Sequence, residues 1–125
     1  MVIETYFYDT YALIEIIKGN FNYSKYINFK AVLTKLNLLE LYCYLLKNYG
    51  EEKANHYYNL YSRDCMDFDD DVIKGSVKFW ISMRKNNKKP SYTDCIGYMM
   101  AKRLNIKFLT GDKEFKNLQN VEFVK

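Results

Sequence analysis

The stretch Thr5-Tyr6-Phe7-Tyr8-Asp9-Thr10-Tyr11-Ala12-Leu13-Ile14-Glu15-Ile16-Ile17-Lys18-Gly19 changes character partway along. Residues 5–8 are aromatic and β-favouring, whereas residues 11–18 carry apolar side chains at helical spacing and stop at Gly19. The segment therefore reads as strand, acidic corner at Asp9, helix. The same grammar recurs at Lys30-Ala31-Val32-Leu33-Thr34, a short apolar strand, followed by a helix over residues 36–49 that carries Glu40 and closes on Gly50 as a C-cap. Further along, Ser91-Tyr92-Thr93-Asp94 supplies a helix start, and Cys95, Ile96, Met99, Met100 and Leu104 predict one buried helical face. Ile106-Lys107-Phe108-Leu109-Thr110 is then a strand running into the turn Gly111-Asp112, and Val121-Glu122-Phe123-Val124 is a last strand. Strands alternating with helices imply a mostly parallel central sheet covered on both faces, a three-layer α/β/α sandwich.

A chain of 125 residues is the size of one domain, so a single domain over residues 1–125 with one core is expected. Hydrophobic residues at 49% and charged residues at 27% exclude a disordered or low-complexity chain. Residues 51–87 predict two helices separated by Cys65-Met66-Asp67-Phe68, with Asp69-Asp70-Asp71 capping the second. Met1-Val2-Ile3-Glu4-Thr5 lacks a basic region followed by an apolar run, and no apolar stretch approaches the ~20 residues that span a bilayer. A soluble, cytoplasmic protein without a membrane partner is the expectation. Cys43, Cys65 and Cys95 lack metal-site or disulfide-scaffold spacing and read as free buried thiols. A single histidine, His56, excludes sites that need two imidazoles and reads as a surface or packing residue. The net charge of +4 means that attraction to nucleic acid has to come from local patches.

In an open parallel sheet, sites form outside the carboxyl ends of the strands. Asp9 and Asp112 stand at such ends, Asp94 falls in the first turn of the helix before the Asp112 strand, and Glu40 lies early in the helix after the second strand. All four can converge on one edge. Each also has a structural reading taken singly: Asp9 as a helix N-cap, Glu40 as a solvated acid, Asp94 as a dipole-complementing cap, Asp112 as a turn residue. Gathered together, four carboxylates repel one another unless a hard cation neutralises them. Mg²⁺ or Mn²⁺, as one or two ions, takes oxygen ligands and activates water toward a phosphodiester, with no need of histidine.

The runs Tyr8-Asp9-Thr10-Tyr11-Ala12-Leu13-Ile14, Leu38-Leu39-Glu40-Leu41, Tyr92-Thr93-Asp94-Cys95 with Ala101, and Leu109-Thr110-Gly111-Asp112-Lys113-Glu114-Phe115 resemble the PIN domain along almost the entire chain. The resemblance is to the toxin of VapBC-type toxin–antitoxin pairs. It implies a PIN-like fold, endonucleolytic cleavage of RNA, Mg²⁺ or Mn²⁺ held by Asp9, Glu40, Asp94 and Asp112, a small antitoxin partner and a homodimer. It also implies that the Thr110 hydroxyl supports the last acid, with Thr10 in a lesser supporting role. Tyr11, Gly97 and Tyr98 depart from the family pattern, and the middle of the chain matches it least.

The run Asp67-Phe68-Asp69-Asp70-Asp71 imitates the start of a calcium loop, but Val72 replaces its glycine and Lys78 its glutamate, which leaves helix capping as the reading. Lys74, Lys78, Arg84, Lys85, Lys88 and Lys89 form an acid-free basic stretch leading to Asp94, with Lys85, Lys88 and Lys89 as candidate RNA contacts or else a solvated face. Val77, Trp80 and Ile81 within it read as core. An aspartyl-nucleophile phosphatase of the haloacid-dehalogenase kind requires an aspartate where Tyr11 stands. A PIN nuclease of RNA processing outside toxin systems, and a non-catalytic module that binds RNA or protein, are the remaining alternatives.

Overall fold

The alternating side chains of the first strand divide the molecule into its two cores. In the computed structural model, which describes residues 4–125, β1 (Thr5–Tyr8) points Tyr6 and Tyr8 to one face of the sheet and Phe7 to the other. Successive strand residues face opposite sides, and a strand apolar on both sides has to lie inside a covered sheet. β1 does so: it pairs in parallel with β2 (Lys30–Val32) and with β3 (Lys107–Thr110), and β3 pairs in parallel with β4 (Val121–Phe123). The strand order is β2-β1-β3-β4. The parallel sheet and both-face coverage are as the sequence predicts. Leu33, assigned to the second strand from sequence, makes only a lone parallel bridge to Cys65 beside that edge.

On the Tyr6 and Tyr8 face lie α1 (Thr10–Ile17), α2 (Lys35–Tyr49) and α3 (Glu51–Ser62); on the Phe7 face lie α4 (Asp70–Lys85) and α5 (Tyr92–Leu104). The predicted caps are in place. Asp69 accepts from the Val72 N–H at the start of α4, Asp70 and Asp71 lie in its first turn, and Gly19 and Gly50 take positive φ at the ends of α1 and α2. The exposed carboxylate of Asp69 also meets the Arg103 guanidinium at 2.6 Å.

Several side chains depart from the sequence reading. Val77 and Ile81 are exposed, not core, because α4 buries the face carrying Val72, Ser76 and Met83 instead. Trp80 is half-buried, stacked on Tyr92, with the Arg84 guanidinium over its ring at 4.2 Å from the centroid. Leu104 is exposed, whereas Cys95, Ile96 and Met100 are buried as predicted, and Tyr98 and Ala101 complete the buried face of α5. Of the three thiols only Cys95 is buried; Cys43 is exposed and Cys65 half-buried, and all are free. His56 is exposed. The reading of the amino terminus rests partly on residues 1–3, which lie outside the described residues. Among the described residues no helix is long and apolar enough to cross a membrane.

One segment had no periodic signal in the sequence: residues 21–28 form a 3-10 helix between α1 and β2. It is held by phenols. Tyr23 and Tyr26 are buried; the Tyr8 hydroxyl donates to the Tyr26 carbonyl, and Tyr26 donates to the Glu122 carboxylate at 2.6 Å.

Gly97, a departure from the family pattern, has a packing cause. A Cβ there would stand 2.6 Å from the Phe7 ring and 3.1 Å from the Phe108 ring, so α5 lies directly on the stacked Phe7–Phe108 pair. Gly97→Ala is expected to destabilise the fold by about 1–3 kcal/mol through overpacking, despite the better helix propensity of alanine. Urea unfolding checks this, and an unchanged or higher midpoint would refute the packing account.

Candidate active site

Parallel topology brings the acids to one edge. Asp9 follows the last residue of β1, and Asp112 comes two residues after β3, its direct neighbour in the sheet. α5 precedes a parallel strand and so begins at the carboxyl edge, which puts Asp94 there; α2 leaves β2 at the same edge, carrying Glu40. Asp9, Asp94 and Asp112 line one open cavity of about 310 Å³, together with Thr10, Tyr11, Gly111, Lys113 and Lys125. Glu40 is half-buried behind Thr10.

Asp9 is buried and both its oxygens are engaged: Oδ1 accepts from the Thr10 N–H at 2.8 Å and Oδ2 from the Thr110 hydroxyl at 2.7 Å. Thr110 also accepts from the Asp112 N–H at 3.0 Å. The threonine therefore serves the last acid through its backbone and the first through its carboxylate. Asp112 in turn accepts from the Glu114 N–H and caps the short 3-10 turn Lys113–Phe115. Asp94 completes a reciprocal capping box: its N–H donates to the Ser91 hydroxyl and its Oδ2 accepts from the Ser91 N–H, both at 3.0 Å. The capping readings of these acids are thus physically true, and they fix the carboxylates at the cleft.

Thr10 is more central than its minor sequence role suggests. Its hydroxyl donates to Glu40 Oε1 at 2.7 Å and accepts from the Asn37 amide at 3.1 Å. Asn37 is fully buried, and its Oδ1 accepts from both the N–H and the hydroxyl of Thr34. Sequence reasoning passed over Asn37, although Thr34 followed three residues later by a side-chain amide is a capping signal. No buried side-chain nitrogen or oxygen among the described residues lacks a partner.

Electrostatics set these carboxylates apart. Burial pushes the Asp9 carboxyl well above the ordinary range, the Asp94 and Glu40 charges add to this, and the Thr110 and Thr10 hydrogen bonds oppose it. Burial likewise raises Glu40, against the Thr10 hydroxyl and with the Asp94 charge. Asp94 is raised by burial and by Asp112, against its Ser91 hydrogen bonds. An oxygen-only donor set of mutually repelling carboxylates, buried or half-buried, has the chemistry of a hard divalent cation site. Among the described residues no three His, Cys, Asp or Glu side chains form a group close enough to hold an ion by themselves. Such a cation retains several waters and uses only one or two carboxylates directly, so the open arrangement fits it.

The candidate RNA contacts stand outside the cavity. Lys85 and Lys89 are exposed, whereas Lys88 is half-buried and its ammonium donates to the Glu114 carbonyl at 3.1 Å, bracing the turn after Asp112. The Lys89 N–H meets the Glu114 carboxylate at 3.0 Å.

A pH dependence of stability follows. Asp9, Glu40 and Asp94 bind protons more tightly folded than unfolded, so the folded state holds more protons from about pH 4 upward. Their contribution is fully present below the unfolded carboxylate value and is lost as pH rises through the raised folded values. Metal-free protein is expected to lose Tm as pH rises above the ordinary carboxylate range of about 4. Asp64, raised by burial, adds in the same sense, and exposed Asp69, lowered by Arg103, opposes it. The comparison with Asp9→Asn isolates the cleft: the variant should melt higher than wild type at pH 7 without metal, and a lower Tm would contradict the electrostatic account.

The family model of the PIN domain matches residues 6–121. No curated relative matches the sequence. Among solved structures, the chain is similar to one in a toxin–antitoxin complex from Klebsiella pneumoniae, at 16% identity and TM-score 0.73, covering 93% of this chain and 94% of that one. It is similar to a chain of VapBC2 from Rickettsia felis bound to a DNA fragment from its promoter, at 17% identity and TM-score 0.74, covering 95% and 96%. A chain of VapBC-1 from nontypeable Haemophilus influenzae aligns at 16% identity and TM-score 0.71, again covering 95% and 96%. These similarities are of fold, and the match over residues 6–121 shows the family: the chain belongs to the PIN domain family.

Proposed function

We propose that this PIN domain is a metal-dependent endoribonuclease and the toxin of a toxin–antitoxin pair. The observation that carries the reading is the cavity lined by Asp9, Asp94 and Asp112 at the carboxyl edge of the sheet, with Glu40 coupled to it through Thr10. Asp9, Glu40, Asp94 and Asp112 would hold Mg²⁺ or Mn²⁺, one or two ions. Bound there, the cation supplies charge neutralisation at the phosphodiester and a water acidic enough to attack it at neutral pH.

The chain's own residues do the positioning. Thr110 orients Asp9 and, through its backbone, Asp112, while Thr10 and Asn37 hold Glu40 to the cleft. Ser91 fixes the direction of Asp94. RNA approaches along the exposed basic side chains of α4 and the loop after it, where Lys85 and Lys89 offer charge and the Trp80–Tyr92 stack offers aromatic surface.

The toxin assignment is supported by the similarity in fold to chains of VapBC complexes over almost their whole length. An inhibitory antitoxin protein and a second copy of the chain are the proposed partners. Exposed apolar rows support protein interfaces of this kind: Ile73, Val77 and Ile81 on α4, and Leu39 and Leu46 on α2.

The test is cleavage of an end-labelled RNA pool by purified protein with Mg²⁺, with Mn²⁺ and with chelator. Cleavage is expected only with metal and is expected to vanish in Asp94→Asn, which also excludes a contaminating nuclease. Activity that survives chelation or the substitution would sink the assignment. Thr10→Val should retain the fold and lower activity or metal affinity by about 10- to 100-fold, as loss of a ligand-orienting hydrogen bond does. Undiminished activity in Thr10→Val would remove Glu40 from the working site.

A further inference from the structure

Lys125 follows β4 and nevertheless faces the acidic cleft, and the structure accounts for how it is held there. The Val124 N–H donates to the Thr110 carbonyl at 3.0 Å, continuing the β3–β4 pairing to the corner before Asp112. The next carbonyls are caught from the other side. The buried Tyr23 hydroxyl donates to the Val124 carbonyl, and the Asn22 amide donates to the main-chain oxygen of Lys125 at 3.1 Å. Both donors belong to the 3-10 segment 21–28, whose Tyr26 also bonds the Glu122 carboxylate of β4. Gly111 lets the parts meet: a Cβ there would lie 2.2 Å from the Tyr11 ring and 2.6 Å from the Val124 carbonyl oxygen. The Lys125 ammonium consequently stands 5.8 Å from the Tyr11 ring centroid, and Lys125, Tyr11 and Lys113 line the same cavity as the acids.

From this arrangement we infer that Lys125, with Lys113 beside it, is a phosphate subsite that binds the RNA backbone next to the cleaved bond. The inference rests on the nuclease reading above and deepens it. Neither lysine forms an ion pair among the described residues, although carboxylates share their cavity. Two unpaired ammonium groups beside a site for one phosphate suit a polyanion that carries another phosphate on each neighbouring nucleotide. A lysine acts there as a point charge, adding attraction without fixing base identity. The subsite governs substrate binding and register, and Lys125 touches none of the four acids. The 3-10 segment then has a functional reason, since it sets where the lysine stands.

The experiment compares wild type, Lys125→Ala, Lys125→Arg and Tyr23→Phe in the full chain. Cleavage of a labelled single-stranded RNA with Mn²⁺ gives KM and kcat, and fluorescence anisotropy without divalent metal gives RNA binding as a function of NaCl. Lys125→Ala should raise KM about fivefold, the worth of an exposed ion pair, with kcat within roughly twofold. Its log–log salt slope for binding should fall by about 0.7, one single-strand phosphate contact. Lys125→Arg should restore both. Tyr23→Phe, which keeps the lysine and releases the tail carbonyl, should raise KM in the same direction. An unchanged KM and salt slope in Lys125→Ala, with wild type cleaving, would overturn the subsite and leave the nuclease reading standing. Absence of metal-dependent cleavage by wild type would overturn that reading and the subsite with it.

Discussion

A carboxylate taken out of water has to be held by hydrogen bonds, balanced by counter-charge or protonated, and Asp9 imposes this constraint on everything around it. It stands at the end of the central strand, buried, with oxygens tied to the Thr10 N–H and the Thr110 hydroxyl. Those two bonds reach into different elements, α1 and β3, and so fix the start of the first helix relative to the neighbouring strand. Thr10 goes on to Glu40 and Asn37, and Thr110 to the backbone of Asp112. One buried acid therefore organises the positions of two others. The opposing effects do not cancel: burial and like charge outweigh the hydrogen bonds, leaving the Asp9 carboxyl raised. The cleft is built to favour a positive guest, and in the proposed function the divalent cation is that guest.

The sheet can bring the acids together because its two faces are packed so tightly at the same edge. Phe7 and Phe108 stack beneath α5, and Gly97 leaves room for that contact by having no side chain. A helix seated this low on the strands presents its first turn beside their carboxyl ends, where Asp94 stands. Gly111 has the same logic at the cleft itself, where the Tyr11 ring and the Val124 carbonyl crowd the backbone. Tyr11 and Gly97 both differ from the family pattern, and each departure coincides with a close approach, so neither disturbs the alignment of the acids.

Much of this was legible in the sequence because it depends on period and punctuation. The strand–corner–helix reading of residues 5–19, the parallel sheet and the capping of α4 by Asp69 all follow from local pattern. The convergence of Asp9, Asp94 and Asp112 on one cavity follows from topology once the strands are known to be parallel. What stayed hidden depends on contacts between distant residues. The 3-10 segment 21–28 has no helical period and exists through phenol hydrogen bonds to Val124 and Glu122, about a hundred positions away. Val77 and Ile81 look like core residues because period alone cannot say which of two apolar faces of α4 meets the sheet. Lys88 looks like part of a basic patch because its partner, the Glu114 carbonyl, is remote in the chain.

The capping roles of the acids, which singly seem to compete with a catalytic role, turn out to be the means by which such a role is possible. A carboxylate on a long free side chain would turn away from its like-charged neighbours at little cost. Asp94, locked to Ser91, and Asp112, accepting from the Glu114 N–H, cannot do so without breaking bonds that also start a helix or a turn. The repulsion among the acids is thereby borne by the fold instead of being relieved by side-chain motion. Charging these raised carboxyls costs folding stability, and a cation that neutralised them would recover it. In this site structure and chemistry therefore draw on the same hydrogen bonds, and the local capping signals are a physical part of the site they seemed to compete with.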